Sequence, residues 1–323
     1  QYANVSIFDD SLGINWPIPL AEAIVSDKDK SHPKLSDATP IKPKKVLITG
    51  AYGQLGHEFQ KLFPDADCVD RDTLDISSNE VFTARKWSEY DVILNAAAYT
   101  AVDLAETPEG RINSWKANAT AVANLSKIAT DNKITLVHIS TDYVFDGTIS
   151  PHTEDEPYSP LGVYGQTKAA GDIAAAQAPQ HYILRTSWVI GKGNNFVRTM
   201  KSLADRGVKP SVVSDQIGRL TFTEDLAAAA KHLIDTKSSF GTYNVSNDGE
   251  SASWAEVAKI VYQHSGKPAD DVTPVTTEEY YTGQDGIAPR PLQSTLSLDK
   301  IKATGFTPRN WRKALDDYLN EEV

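Results

Sequence analysis

Short apolar runs alternate with amphipathic stretches along most of the chain. KKVLIT (44–49), DCVD (67–70) and DVILNAA (91–97) read as strands, the last almost continuously apolar and therefore buried on both faces. TLVHIST (135–141) and HYILRTSWVIG (181–191) continue the series. Between the strands the pattern predicts a helix carrying Leu55, Phe59 and Leu62 on one face, a long helix over 117–132, and another over 164–177. Alternation at this spacing implies right-handed crossovers and an α/β, doubly wound parallel sheet. Beyond Gly191 the alternation loosens, with helices expected at 195–206, 223–235 and 253–265 and strands near 211–214 and 241–246. The expected organisation is a sheet domain over 44–190 with later returns near 220–247, and a smaller, sequence-interleaved lobe made mainly of 191–323.

Residues 1–43 do not share this pattern. Aromatics and prolines are scattered through 8–37, and a charged, Pro-containing run leads up to Lys45, so this part reads as an ordered arm plus a linker. The 323 residues carry a net charge of −11, which argues against a general nucleic-acid binder. Any anionic ligand must then be met by locally placed Arg, Lys or backbone N–H groups. A single cysteine, Cys68, excludes an intrachain disulfide and suits a reducing, cytoplasmic setting. No apolar run approaches the roughly 18–20 residues of a membrane span. The chain begins at Gln1 and its one methionine is Met200, so it is expected to be a processed or truncated piece.

Chemistry enters at two places. Gly50, Gly53 and Gly56 form G-x-x-G-x-x-G directly after a strand and at the start of a helix. Such a turn lets backbone approach a pyrophosphate, which then sits on the helix N-terminus. Tyr52, Gln54 and Leu55 complete this dinucleotide-binding turn. Asp70 closes the second strand twenty residues after Gly50, where an acid would bond the adenosine ribose hydroxyls. Arg71 follows and suits a 2′-phosphate, so the choice between NADH and NADPH stays open. Asp75 and Ile76 are expected to border the adenine. The plain alternative for Asp70 and Arg71 is a solvated turn pair.

The second place is the end of the fourth strand and the helix after it. Tyr164 and Lys168 lie four residues apart and share one helix face, and Thr141 stands at the strand end. A tyrosine of ordinary pKa about 10 needs a nearby cation to act as an acid near neutrality. Lys168 supplies that field and can hold a nicotinamide ribose, while the Thr141 hydroxyl can polarise a carbonyl. A lone Y-x-x-x-K is common on helix surfaces. After a glycine turn and a strand ending in STD, it is the constellation of the short-chain dehydrogenase/reductase superfamily, on a Rossmann sheet.

Several stretches together resemble the dTDP-4-dehydrorhamnose reductases: GAYGQLG (50–56), NAAAYTAVDLAE (95–106), STDYVFDG (140–147), YGQTKAAGD (164–172), LRTSWVIG (184–191), NNFVRTM (194–200), DQIGRLTFTEDLA (215–227) and RPLQSTLSLDKI (290–301). The resemblance implies reduction of the 4-keto group of dTDP-4-dehydro-L-rhamnose by NADPH or NADH, with Tyr164 as acid, Lys168 as its partner and Thr141 at the carbonyl. It places Ala96, Ala97, Ala98 and Tyr99 along the cofactor, and Tyr143 and Trp188 beside the sugar. Val102, Asp103 and Asp142, in the same matched stretches, are expected at the substrate with Thr141, and Asn195, Phe196, Arg219 and Arg290 are the candidates for its nucleotide diphosphate. One departure is Leu220, where a proline is expected after Gly218-Arg219. Nothing in the sequence calls for Mg²⁺, and a homodimer is allowed but not indicated.

Asp10, Leu12-Gly13-Ile14, Trp16-Pro17, Ser26-Asp27-Lys28-Asp29 and Pro33-Lys34-Leu35 resemble the C-terminal tail of the dTDP-4-dehydrorhamnose 3,5-epimerases. That resemblance implies a fused or associated epimerase whose catalytic residues lie upstream of Gln1. Two other functions compete. One is a nucleotide-sugar epimerase or dehydratase of the same superfamily, although Tyr143 stands where a dehydratase would carry Glu. The other is a non-catalytic NADP-binding regulatory subunit, against which the intact Tyr164 and Lys168 speak.

Overall fold

The structure is a computed structural model and describes residues 4–38 and 44–321. The chain divides into two compact units, 1–44 and 45–323. In the first, the carboxylate of Asp9 organises the backbone, accepting from Leu35 N at 2.6 Å and from Ser11 N at 3.0 Å. Ser6 N donates to Pro33 O at 2.8 Å, and Ser26 caps a short helical turn over Asp27–Lys30.

The second unit is built on six parallel strands. In chain order its elements begin β1 (Lys45–Thr49), α1 (Gln54–Leu62), β2 (Asp67–Val69), β3 (Tyr90–Asn95), α2 (Pro108–Trp115), α3 (Ala121–Asn132), β4 (Thr135–Thr141), α4 (Val163–Ala175) and β5 (His181–Thr186). They continue with β6 (Val189–Ile190), α5 (Phe196–Asp205), β7 (Ser211–Val213), β8 (Ile217–Gly218), β9 (Thr221–Phe222), α6 (Thr223–Asp235) and β10 (Gly241–Asn244). The last are β11 (Ala252–Ser253), α7 (Trp254–His264), β12 (Thr273–Val275), α8 (Thr277–Tyr281), α9 (Asp299–Ala303) and α10 (Trp311–Glu321). The main sheet runs β2-β1-β3-β4-β5-β10, all parallel.

Strand residues alternate between two cores. Leu47, Ile93, Leu136 and Ile183 point to one face and pack with Val122, Leu125 and Ile128 of α3. Ile48, Leu94, Val137 and Leu184 point to the other and pack with Phe59 of α1 and Leu226 of α6. Burial on both faces explains why these strands read as continuous apolar runs. Chain order reverses between β1 and β3, so a crevice opens beyond their C-terminal ends.

The expected α/β doubly wound sheet is present, with two local differences. The helix expected from 117 starts at Pro108, where Thr107 caps it and Pro occupies its first turn. A π-turn over Lys116–Thr120 then joins α2 to α3. The strand expected over 181–191 stops at Thr186, because Trp188 adopts a left-handed φ of +46° before β6 resumes. A third core holds the later segments together, with Ile190, Val197, Leu220, Phe222, Tyr262 and Trp311 among its buried members. Leu220, the departure noted above, is completely buried there. Three two-stranded ladders, β6 with β9, β7 with β12 and β8 with β11, tie this lobe. Among the described residues no helix is long and apolar enough to cross a membrane.

Candidate active site

The chain leaves β1 through Gly50, which has φ +64°. A Cβ there would lie 2.7 Å from Ala97 N and 2.8 Å from the Ala96 carbonyl carbon, so the glycine turn lies directly against the end of β3. The two strand ends are further locked by Thr49 Oγ1 donating to Asn95 Oδ1 at 2.7 Å and Ala96 N donating to Thr49 O at 3.1 Å. Gly53 occupies the N-cap of α1 with no side chain over the helix terminus, leaving its first N–H groups available to an anion.

A cavity of about 380 Å³ opens at this switch point. Of the residues expected at a dinucleotide, Gly50, Gly53, Asp70, Arg71, Asp75, Ile76, Ala96, Ala97, Ala98 and Tyr99 line it. The others sit elsewhere. Leu55 is in the core, and Gly56 is packed so closely that a Cβ would fall 2.3 Å from Gly50 O. Tyr52 and Gln54 line a separate surface depression with His57, Lys192 and Asn194. The uncapped N-terminus of α1 and the Asp70-Arg71 pair in the cavity lining suit the pyrophosphate and adenosine of a nicotinamide dinucleotide.

Asp70, in the lining of the cavity, commits one carboxylate oxygen to the turn that follows it. Its Oδ1 accepts from Asp72 N at 3.1 Å, Thr73 N at 2.9 Å and Thr73 Oγ1 at 2.8 Å. These bonds, the Thr73 hydroxyl first, hold its pKa below the ordinary value. Asp75 is likewise engaged, with Lys116 Nζ at 3.2 Å and Ser77 N at 3.0 Å.

Sequence reading missed Asn118. It lies in the π-turn, fully buried, where Oδ1 accepts from Tyr99 N at 2.8 Å and Nδ2 donates to Tyr99 O at 3.0 Å and Thr167 Oγ1 at 3.1 Å. One amide therefore clamps the 97–99 loop to α4, and the helix irregularity places it there. The stretch KANAT carries no periodic signal that would single it out.

Thr141 ends β4 and pairs in register with Thr186. Its hydroxyl accepts from Tyr143 N at 3.2 Å and donates to Asp142 Oδ1 at 3.0 Å. Asp142 is 2% exposed, and burial pushes its carboxyl up to about 6 against the pull of the Ser294 and Thr141 hydroxyls. The ring of Tyr143 meets that of Tyr164 edge-on at 5.5 Å. Burial raises the pKa of Tyr164 above the usual phenol value, with Asp142 and Asp172 adding to the rise and the Thr141 hydroxyl opposing it. Tyr164 thus holds its proton at neutral pH.

Lys168 lies one turn along α4 and is 2% exposed. Its Nζ donates to Ile139 O at 2.6 Å. Burial lowers this ammonium to about 8, with Asp172 opposing the fall. The expected trio is therefore assembled at the ends of β4 and α4. Its lysine is anchored to a strand carbonyl.

The residues expected around the substrate divide. Arg290 donates to both oxygens of Asp103 at 2.8 Å and stacks over Tyr281 at 5.0 Å, joining the 281–290 segment to the loop that carries Val102 and Asp103. Trp188 stacks on Trp254 at 3.8 Å and 16°, and Phe196 packs against Trp254 at 4.5 Å. Asn195 and Arg219, the other two diphosphate candidates, also hold internal partners. Asn195 caps α5 by accepting from Arg198 N at 3.0 Å and donates to Gly191 O at 2.8 Å and Tyr318 Oη at 2.9 Å. Arg219 is 7% exposed, bonded to Leu296 O and paired with Asp248 at 3.4 Å. Side chains committed to so many internal partners hold loops together. Among the described residues no group of three or more His, Cys, Asp or Glu is placed to hold a metal.

Comparison with known proteins agrees with this geometry. The sequence matches the RmlD substrate binding domain family over residues 44–323. A dTDP-4-dehydrorhamnose reductase of Aggregatibacter actinomycetemcomitans is 36% identical over 84% of this chain and 97% of that protein. One from Salmonella typhimurium is 38% identical over 80% of this chain and 90% of its own length. A crystal structure of the Bacillus anthracis dTDP-4-dehydrorhamnose reductase in complex with NADP superposes with a TM-score of 0.77 at 34% identity, covering 87% of this chain and 100% of that one. Residues 44–323 carry the sheet, the glycine turn and the Thr141, Tyr164 and Lys168 cluster together, and over that span the chain belongs to the dTDP-4-dehydrorhamnose reductase family.

Proposed function

We propose that the protein reduces the 4-keto group of dTDP-4-dehydro-L-rhamnose to give dTDP-L-rhamnose, with NADPH or NADH as electron source. The observation that carries this reading is a protonated Tyr164 beside the Thr141 hydroxyl and a buried Lys168, on the strand and helix that follow a cavity lined by the glycine turn and residues 96–99. The cofactor, when bound, supplies a hydride to the carbonyl carbon. Thr141 donates a hydrogen bond to the carbonyl oxygen, where negative charge collects, and Tyr164 delivers its phenolic proton to the same oxygen. Lys168, as an ammonium, holds the ribose of the cofactor and offsets charge on the phenolate left behind. Solvent returns the proton to Tyr164.

Asp70, Arg71, Asp75, Ile76 and residues 96–99 form the cofactor wall in this reading. Val102, Asp103, Asp142, Tyr143, Trp188, Phe196 and Arg290 surround the sugar nucleotide, with 44–190 and the return near 220–247 as cofactor domain and 191–323 as substrate lobe. A dehydratase would want a carboxyl at position 143, and the phenol there, packed on Tyr164, disfavours that chemistry. The wording of residues 10–35 supports a 3,5-epimerase module joined to this reductase, in one cytoplasmic polypeptide.

The test is loss of reduced-cofactor absorbance when the protein is mixed with dTDP-4-dehydro-L-rhamnose. Oxidation that depends on the epimerised keto sugar supports the reading. Cofactor binding with no oxidation by any keto sugar would replace it with the regulatory subunit.

A further inference from the structure

Behind Lys168 lies a charged network that the reaction itself does not use. Asp172 sits one turn beyond Lys168 on α4 and is completely buried. Arg185, on β5, donates from Nε to Asp172 Oδ2 at 3.0 Å and from Nη1 to Glu154 O at 3.0 Å. Its guanidinium is sandwiched between Phe145 at 5.1 Å and Tyr158 at 5.0 Å. Both members of this pair are withdrawn from water, and such pairs commonly add little to stability compared with apolar residues of the same size. Their place is the informative feature.

Lys168 needs a counter-charge. Its Nζ is buried and bonded to the neutral carbonyl of Ile139, and a buried ammonium without a nearby anion gives up its proton. The groups on the surrounding elements are few. Tyr164, on α4 itself, is protonated at neutral pH. His138 on β4, 3.9 Å from Asp172 through Nε2, is kept neutral by burial and by Lys168. Asp142 and Tyr143, after β4, face the Tyr164 and Thr141 side. Glu106 is engaged with Val163 N at 2.7 Å and Lys116 with Asp75. Glu109, Arg111, Lys127 and Asp131 on α2 and α3 are exposed and screened by water. Asp172 is thus the acid one helical turn behind the ammonium; burial raises its pKa, and Arg185, Ser140 and Lys168 oppose that rise, while the Arg185 bond fixes where it points.

We infer that Asp172 is a positioning residue of the reductase site: it is the counter-charge that raises the pH at which Lys168 gives up its proton, and Arg185 holds it in place. The inference rests on the reading of Lys168 as the cofactor-holding cation. It makes the helical spacing Tyr164, Lys168, Asp172 one functional unit, with the acid, the cation and its anion on successive turns of one face.

The experiment measures kcat/KM for NADPH-dependent reduction of dTDP-4-dehydro-L-rhamnose, and NADPH affinity by fluorescence, as functions of pH. Asp172→Asn should move the alkaline limb of both profiles down by about one pH unit, the low end of what an opposite charge one helical turn away produces. Asp172→Glu should return the limb towards its original position. Because Asp172→Asn leaves Arg185 buried and unpaired, the double variant Asp172→Asn, Arg185→Gln is measured alongside. It removes both charges and keeps an amide contact, and its limb should still be shifted. An unshifted limb in either folded variant would overturn the inference while leaving the reductase reading standing. Loss of folding in both would assign the pair to the fold and overturn it as well. A wild-type protein that binds NADPH but reduces no keto sugar would sink the reductase reading instead, and the binding profile would still test Asp172.

Discussion

Replacing Asp142 by Asn should make the protein more stable at neutral pH. The carboxyl is 2% exposed and burial lifts it from the model-peptide value of 3.8 to about 6. Two pKa units correspond to about 3 kcal/mol, at about 1.4 kcal/mol per unit. The sign follows from which state holds the proton. Between about pH 4 and 6 the folded protein keeps a proton on Asp142 that the unfolded chain has released, so stability falls as pH rises through that window. Above about pH 6 the penalty is complete, and below about pH 4 it is absent. Asn has the same size and retains an acceptor for the Thr141 hydroxyl, now 3.0 Å from Asp142 Oδ1. The variant should therefore gain about 2–3 kcal/mol near pH 8, a gain that shrinks through the window and vanishes near pH 4. Urea unfolding of both proteins across this range measures the difference, in which the other titrating groups cancel. A gain that did not depend on pH, or a variant less stable near pH 8, would refute the reasoning.

Three further outcomes concern the site. Tyr164→Phe should lower turnover by about 10²–10⁴-fold, the usual contribution of a positioned acid, with NADPH affinity little changed; wild-type turnover would remove Tyr164 from its role. Gly56→Ala pushes a methyl to within 2.3 Å of Gly50 O and 2.4 Å of Ala51 O. That overpacking should cost about 1–3 kcal/mol and shift α1 off the glycine turn, so calorimetry should show weaker NADPH binding, and unaltered binding and melting would count against this packing. Arg71→Ala should weaken NADPH about tenfold or more while sparing NADH, because Arg71 lines the cavity beside Asp70 and a guanidinium there would meet a 2′-phosphate that NADH lacks. Equal losses for both cofactors would contradict that division.

Much of the site was readable because its parts are local in sequence. Thr141 follows from a strand end, and Tyr164 and Lys168 from one helical turn. The glycine turn joins β1 directly to α1. Other features depended on residues brought from far away. Asn118 acts through Tyr99 on one side and Thr167 on the other. Arg290 meets Asp103 across 187 residues of chain. Arg219 and Asn195 show the converse. Their residue types suit phosphate, and the internal partners they also hold, such as Leu296, Tyr318 and Gly191, could not be read from sequence. The two- and three-residue strands of the later lobe, such as β11 and β12, are too short to leave a periodic trace.

The sequence by itself determined the doubly wound sheet, since continuous apolar strands joined by amphipathic helices bury both faces in one way, and it determined which helix carries Tyr164 and Lys168. Only the tertiary structure decided the charge state of that site. Whether Asp142 is protonated, whether Lys168 remains a cation and how Asp70 is bonded depend on burial and on partners such as Arg185, Ser294 and Thr73. Burial and proximity across chain-distant elements set those energies, and a residue's neighbours in sequence do not contain them.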